Sequence, residues 1–191
     1  VDVKEKVSQS TRKVPPLYNI TGLQKAANSR FGMSARRTLA AAQRLYEGHK
    51  VLSYPRSDFT ALPEDYGKTV NDLLALLSSS DLSGCFSDES NHQEISGAAG
   101  FILSDGLKNK ARNFDDKNVG DHYAIIPTGI PEVALGGDDA KVFNLVLRRF
   151  CAAFMGPSTW ENVTRETVVS SAEALFFTKS SRLTVPGWQA V

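Results

Sequence analysis

Ser53-Tyr54-Pro55-Arg56-Ser57-Asp58 holds the densest set of reactive side chains in the sequence. A tyrosine becomes a covalent nucleophile when its phenol is deprotonated or hydrogen-bonded to a cation. An unperturbed phenol titrates near pH 10, roughly, so a neighbouring cation helps, and Arg56 is two residues on. Val51-Leu52-Ser53-Tyr54 is short, apolar and partly β-branched, and a following proline disfavours the helical region for the residue before it. The segment is therefore predicted to be extended, with positions i and i+2 pointing to one side. Tyr54 and Arg56 could then face a single phosphate, whose oxygens match the guanidinium fork. Asp58, next on that side, could orient Arg56. The same residues also read as a half-buried tyrosine beside a solvated arginine, and taken alone they leave both readings open.

The charge distribution bears on the choice. Residues 1–56 hold eleven Lys or Arg against three acids, a net of +8. Residues 57–106 hold one Lys against nine acids, a net of −8, and the remainder is nearly balanced, ten against nine. A basic N-terminal part suits an anionic partner such as a phosphate backbone. The alternative is that the basic and acidic faces pair with each other or with solvent. Lys25, Arg36, Arg37 and Arg44 are the candidate backbone contacts, each adding a salt-dependent, sequence-independent increment of affinity.

Several elements must position these residues. Residues 1–14 alternate loosely, as an exposed strand does, and Pro15-Pro16 closes the run. A helix is predicted from Thr21, where Thr21-x-x-Gln24 has the form of a capping box, to Phe31, with Gly32 as the C′ residue. A second starts at Ser34, carries an apolar stripe of Leu39, Ala42, Leu45 and Tyr46, and ends at Gly48, which makes a helix-turn-helix-like pair. A third opens at Pro63-Glu64 with core residues Val70, Leu73, Leu74 and Leu77. The Ser-rich, acidic stretch 78–91 reads as a loop. Helices are predicted over about 92–111 and 138–155, the latter capped by Asp138 or Asp139, with residues 112–137 irregular between them. From residue 161 the pattern alternates as strands do, over 161–170, 173–179 and 182–185. The result is a helical centre over about 18–158, with β segments at 1–17 and 159–191.

Four motifs in order give the Tyr54 stretch a context. Tyr54-Pro55-Arg56-Ser57-Asp58 resembles the active-site signature of type IA DNA topoisomerases, Tyr-Pro-Arg-(Ser/Thr)-Asp. Pro16-Leu17-Tyr18-Asn19-Ile20-Thr21-Gly22-Leu23-Gln24 resembles a motif of the same family. So do Arg30-Phe31-Gly32-Met33-Ser34-Ala35 through Thr38-Leu39, with Ala42-Gln43-Arg44-Leu45-Tyr46-Glu47, and Asp121-His122-Tyr123-Ala124-Ile125-Ile126-Pro127-Thr128. Ile126, where topoisomerase I members usually have Arg, places the resemblance on the topoisomerase III branch. Phe59, where Ser or Cys is commoner, is a minor departure that does not touch the chemistry.

The resemblance implies a mainly α, winged-helix-like tyrosine domain, with terminal β-strands from a neighbouring gate or hinge domain. It implies that Tyr54 attacks a phosphodiester of single-stranded DNA, forming a 5′-phosphotyrosyl link and a free 3′-hydroxyl, without ATP. Arg56 would stabilise charge on the phosphoryl oxygens, and His122 would hydrogen-bond the scissile or an adjacent phosphate. Gln24, Asp58 and Thr128 sit in matched motifs and join the candidate DNA contacts. Mg²⁺ in such an enzyme belongs to a Toprim domain with a Glu, a Lys and an Asp-x-Asp cluster. None of that cluster is recognisable here: Asp115-Asp116 and Asp138-Asp139 read as a solvated turn and a helix cap. The chain is therefore expected to bind no catalytic metal and to be inactive alone. RNA is a possible substrate beside DNA, and the Toprim and remaining gate domains are the implied partners within the same polypeptide.

The sequence also limits the alternatives. No stretch approaches the roughly 20 apolar residues of a membrane span. Cys85 and Cys151 have no metal-ligand spacing and read as a polar-loop and a core residue, so a cytoplasmic location is the expectation. His49 and His92 match no motif and read as surface residues. Val1 is not a Met, and Trp188-Gln189-Ala190-Val191 follows directly on a strand and turn, so a segment of a larger protein is expected. A non-catalytic, helical nucleic-acid-binding module is the rival to the enzymatic reading.

Overall fold

The computed structural model describes residues 2–80, 82, 89–169 and 174–191. The chain divides into two compact units, one of Val1–Val14 with Gly156–Gln189 and the other of Pro15–Met155 with Ala190–Val191.

The first unit is a three-stranded antiparallel sheet in the order β1 (Asp2–Arg12), β2 (Ser158–Val169), β3 (Ala174–Val185). Both ends of the chain thus contribute strands, and the alternation predicted in two pieces after residue 173 forms one continuous strand. Side-chain pairs across the strands fix the register. Glu5 lies opposite Arg165 and pairs with it, and Arg182 reaches Glu161 at 3.0 Å. Asn162 bridges Ser10 and Ser181 at 2.8 Å each. Every position of β1 is exposed.

The second unit is helical, with α1 (Ile20–Phe31), α2 (Ala35–Gln43), α3 (Gly67–Ser79), α4 (Glu89–Asp105), α5 (Lys110–Asn113) and α6 (Gly137–Ala153) among its described residues. α3 packs on α4, and α6 receives α1, α2 and α4. Phe143, Phe150, Phe154, Leu23, Leu45 and Leu74 are among the fully buried side chains. Cys151 is buried as expected, and burial pushes its thiol up to about 12. Cys85 and half of the predicted 78–91 loop, positions 81 and 83–88, lie outside the described residues, while positions 78–79 end α3 and 89–91 open α4. Among the described residues no helix is long and apolar enough to cross a membrane.

The helix ends differ from the prediction in instructive ways. α1 is capped by Asn19, not Thr21: the Asn19 carboxamide oxygen accepts from Gly22 N–H at 2.8 Å. Its amide nitrogen also donates to the Asp58 carbonyl at 3.1 Å, so the cap ties α1 to the Tyr54 segment. Gly32 ends α1 with φ 65°, a left-handed conformation that suits glycine. Ser34 caps α2 as predicted, accepting from Arg37 N–H. α6 starts after Gly136 with no side-chain cap, and Asp138 and Asp139 fall in its first turn instead. The predicted 92–111 helix is broken, α4 stopping before Gly106, which has φ 80°.

Candidate active site

α2 does not stop cleanly. Its last turn widens into a π-turn, Arg44–Gly48, closed by His49 N–H to the Arg44 carbonyl at 2.9 Å. Such wide turns shift the phase of the side chains that follow. Thr38, Ala41, Ala42 and Leu45 form the buried face, and Tyr46, predicted on the apolar stripe, is turned outward and 39% exposed. Lys50 then adopts φ 55°, a left-handed conformation uncommon for a side-chain-bearing residue. The Thr128 hydroxyl donates to its carbonyl at 3.2 Å.

Beyond Lys50 the chain runs extended beside residues 124–128. Leu52 bridges Pro127, Thr128 N–H donates to the Val51 carbonyl at 2.9 Å, and Ser53 N–H donates to the Ile126 carbonyl at 3.0 Å. The Ser53 hydroxyl makes two further bonds. It donates to the Ala124 carbonyl at 3.0 Å and accepts from Ile126 N–H at 2.9 Å. This 5% exposed serine ties the strand carrying Tyr54 to the one that follows His122. Sequence reasoning passed over it, because a serine inside an apolar run signals nothing about its partners. Ser53→Ala leaves both the Ala124 carbonyl and the Ile126 N–H short of a partner, a cost of about 1–3 kcal/mol. Thermal denaturation should show a drop of about 2–4 °C per kcal/mol for a domain of this size. An unchanged Tm would mean the two groups find other partners.

These elements bring Tyr54 and His122 together. Their rings stack at 3.9 Å between centroids and 25° between planes. Tyr46 meets Tyr54 edge-on, at 5.6 Å and 84°. Tyr54 is half-buried, and its hydroxyl has no hydrogen-bond partner among the described residues. A cleft of about 660 Å³ opens here, lined by Tyr46, Glu47, Lys50, Leu52, Ser53, Tyr54, His122, Tyr123 and Thr128. Tyr123 is held differently: its hydroxyl pairs with that of Tyr66 at 2.8 Å. Burial first, then the Tyr66 hydrogen bond and the proximity of Tyr66 and Tyr46, push its phenol well above the usual range. Buried Tyr18 is raised too, mainly by desolvation.

Pro55 and Arg56 form a turn, so the extended run ends at Tyr54. The alternation nevertheless persists: Ser53, Pro55 and Ser57 are buried, while Arg56 and Asp58 are exposed on the outward side with Tyr54 half-buried between. Arg56 is not among the residues lining the cleft. Asp58 does not orient it through an ion pair. No such pair is present among the described residues, and the Asp58 contact is its backbone carbonyl to Asn19. Phe59 is closer to the site than its sequence position suggests. A Cβ on Gly120, two residues before His122, would meet its ring at 2.8 Å.

The candidate backbone contacts separate into two groups. Arg37 makes a two-pronged pair with Asp138, at 2.8 and 3.0 Å, and holds that carboxyl below its usual range. Arg44 makes a two-pronged pair with Asp139 as well, and His49, expected on the surface, is half-buried 3.9 Å from that carboxylate. Both pairs put acids in the first turn of α6, where the helix end favours them. Part of the basic N-terminal charge is therefore satisfied internally, by acids of α6 that lie outside the acidic stretch 57–106. Lys25 and Arg36 are exposed with no ion-pair partner among the described residues, and the Gln24 amide donates to the Ala35 carbonyl at 3.3 Å. Only Thr128 among these lines the Tyr54 cleft.

Asp115 and Asp116 are likewise committed: Asp115 accepts from Lys117 N–H and the Asn118 amide, and Asp116 from Glu64 N–H. Among the described residues no three His, Cys, Asp or Glu side chains group as metal ligands do.

The DNA topoisomerase family profile matches residues 1–191, the whole chain. The chain belongs to the DNA topoisomerase family. Its relatives include the DNA topoisomerase 3 of Shouchella clausii, 36% identical over 192 residues, and that of Bacillus licheniformis, 33% identical over 193 residues. These alignments cover 98% and 100% of this chain but 24% of each relative, so the chain spans about a quarter of their length. The protein is topoisomerase III-like, in keeping with Ile126. Full-length topoisomerase I from Thermotoga maritima shares the fold, with a TM-score of 0.64 at 24% identity over 100% of this chain and 30% of that one.

Proposed function

We propose that this topoisomerase segment carries the nucleophile of a type IA enzyme, and that Tyr54 is that nucleophile. The observation that supports it most is the state of Tyr54. Its ring is clamped by His122 on one face and by Tyr46, while its hydroxyl is left without a protein partner beside an open cleft. In this reading the Tyr54 oxygen attacks the phosphorus of a single-stranded DNA phosphodiester. A phosphorus–oxygen bond to tyrosine forms, the bond to the 3′ oxygen breaks, and the phenolic proton is replaced by one on the departing 3′-hydroxyl. One ester replaces another, so the step is reversible and needs no ATP. Arg56 meets the charge on the phosphoryl oxygens, and His122 hydrogen-bonds the scissile or adjacent phosphate. Lys25, Arg36 and Thr128 contribute backbone contacts. Gln24 does so after releasing the Ala35 carbonyl, and Arg37 and Arg44 only after leaving their carboxylates.

The helical body, about 18–158, serves in this reading as a winged-helix-like tyrosine domain, and residues 1–17 and 159–191 as β segments of the gate or hinge. The acid/base groups and Mg²⁺ belong to a Toprim domain elsewhere in the cytoplasmic polypeptide. The test is to incubate full-length protein, and separately this 191-residue chain, with single-stranded oligonucleotide, then denature and digest. The full-length protein is expected to yield a phosphotyrosyl peptide containing Tyr54. The chain alone is expected to yield none and to leave supercoiled plasmid unrelaxed. An adduct on another residue would remove Tyr54 from the mechanism. Binding with no adduct from the full-length protein would leave a non-catalytic nucleic-acid-binding module, with RNA or DNA as ligand.

A further inference from the structure

The cleft beside Tyr54 has walls that the ester exchange does not use. Tyr46, Tyr123 and Leu52 give it aromatic and apolar surface, and Glu47 and Lys50 give it polar edges. Glu47 is the informative member. A carboxylate beside an anionic strand is repelled by it. Yet Glu47 is exposed, and neither its side chain nor that of Lys50 has an ion-pair or hydrogen-bond partner among the described residues. An acceptor-only carboxylate on this wall is matched by a ligand edge that presents hydrogen-bond donors. Glu47 shares the π-turn Arg44–Gly48 with Tyr46, whose ring is 39% exposed and lines the same cleft. The volume of about 660 Å³ falls within the range of roughly 300–1,000 Å³ typical of ligand sites, ample for one nucleoside.

We propose that this cleft is a nucleobase subsite that takes the base of a nucleotide flanking the scissile phosphate and favours guanine; the proposal rests on the reading of Tyr54 as nucleophile. A strand whose phosphate lies at the Tyr54 hydroxyl must place the flanking bases nearby, and the cleft shares the Tyr54 wall. Tyr46 and Tyr123 offer ring surface for stacking, which by itself accepts any base because every base has a π-face. The edge discriminates. Guanine presents two adjacent donors, N1–H and the N2 amino group, with the O6 acceptor beside them. The two carboxylate oxygens of Glu47 accept from the donors and the Lys50 ammonium donates to O6. Adenine and cytosine offer a single exocyclic donor beside a ring acceptor, and thymine a single ring donor between two carbonyls.

The experiment uses full-length protein and single-stranded oligonucleotides with one cleavage position. Each flanking nucleotide is varied among the four bases and an abasic residue, and the initial rate of adduct formation is read. One flanking position should show an abasic penalty of about tenfold or more and a comparable preference for guanine over thymine. In Tyr46→Ala the ratio of rates between guanine and abasic substrates should fall toward one. In Glu47→Gln the abasic penalty should persist while the guanine preference disappears. Ratios taken within one protein do not depend on how much of a variant folds. Flanking positions that are all insensitive to base removal, or a guanine-to-abasic ratio unchanged in Tyr46→Ala, would overturn the subsite. An adduct that persists in Tyr54→Phe would instead overturn the nucleophile assignment, whatever the base dependence.

Discussion

Tyr54→Phe in the full-length protein is expected to abolish the covalent DNA adduct and to lower relaxation on the order of 10⁴-fold or more, as loss of a covalent nucleophile does in other enzymes. The substitution removes one oxygen and little else. The phenyl ring keeps its stack on His122 at 3.9 Å and its edge contact with Tyr46 at 5.6 Å. The lost hydroxyl had no hydrogen-bond partner among the described residues, so no protein group is orphaned, and stability should change by less than about 0.5 kcal/mol. Affinity for a single-stranded oligonucleotide should be retained, since phosphate contacts from Lys and Arg dominate it. Tyr123 is the contrast. Its hydroxyl is bonded to Tyr66 at 2.8 Å, and its phenol is pushed upward by burial. A Tyr54→Phe protein that still traps DNA covalently at the wild-type rate would exclude Tyr54, and adduct mapping would then name the residue in its place.

Much of this site was readable from the sequence, and the parts that were not share a cause. Tyr54, Arg56 and His122 stood out through the resemblance of their motifs to topoisomerase signatures, since their residue types alone left a structural reading open. The helices were legible from apolar periodicity and from Gly32 and Ser34, whose conformational and capping preferences are local. What the sequence hid depends on contacts between distant segments. The Asn19 cap competed with a plausible Thr21 box, and the Asp58 carbonyl, 39 residues away, engages the Asn19 amide. Asp138 and Asp139 resembled helix caps because nothing local announces Arg37 and Arg44 on a neighbouring helix as their partners. Tyr46 fitted the apolar stripe of an ideal helix, and one widened turn placed it in the cleft. Ser53 matters only because residues 124 and 126 lie beside it. Periodicity predicts which face is buried; it does not predict which polar groups meet across it.

Arg56→Ala should lower the single-turnover rate of adduct formation by about 10²–10³-fold, the usual consequence of removing one group that stabilises transition-state charge, with a much smaller effect on oligonucleotide affinity. Two features of the structure separate Arg56 from Arg37 and Arg44. It lies two residues from Tyr54 on the outward side of the same segment, and it has no carboxylate partner among the described residues. Arg37 and Arg44 are each paired with an acid of α6. Any contact they make with DNA must first replace a charge-assisted bond, so Arg37→Ala should alter the chemical step far less. Arg56→Lys should recover only part of the rate. An ammonium keeps the charge but cannot match two phosphoryl oxygens with a planar fork. The measurement is the adduct rate at saturating oligonucleotide, set beside the Kd of the same strand. If Arg56→Ala stays within about threefold of wild type in rate, or if its whole effect falls in Kd, Arg56 binds the backbone and does not stabilise the transferring phosphoryl group. Full recovery by Lys would show that charge alone suffices there and that the fork geometry is not used.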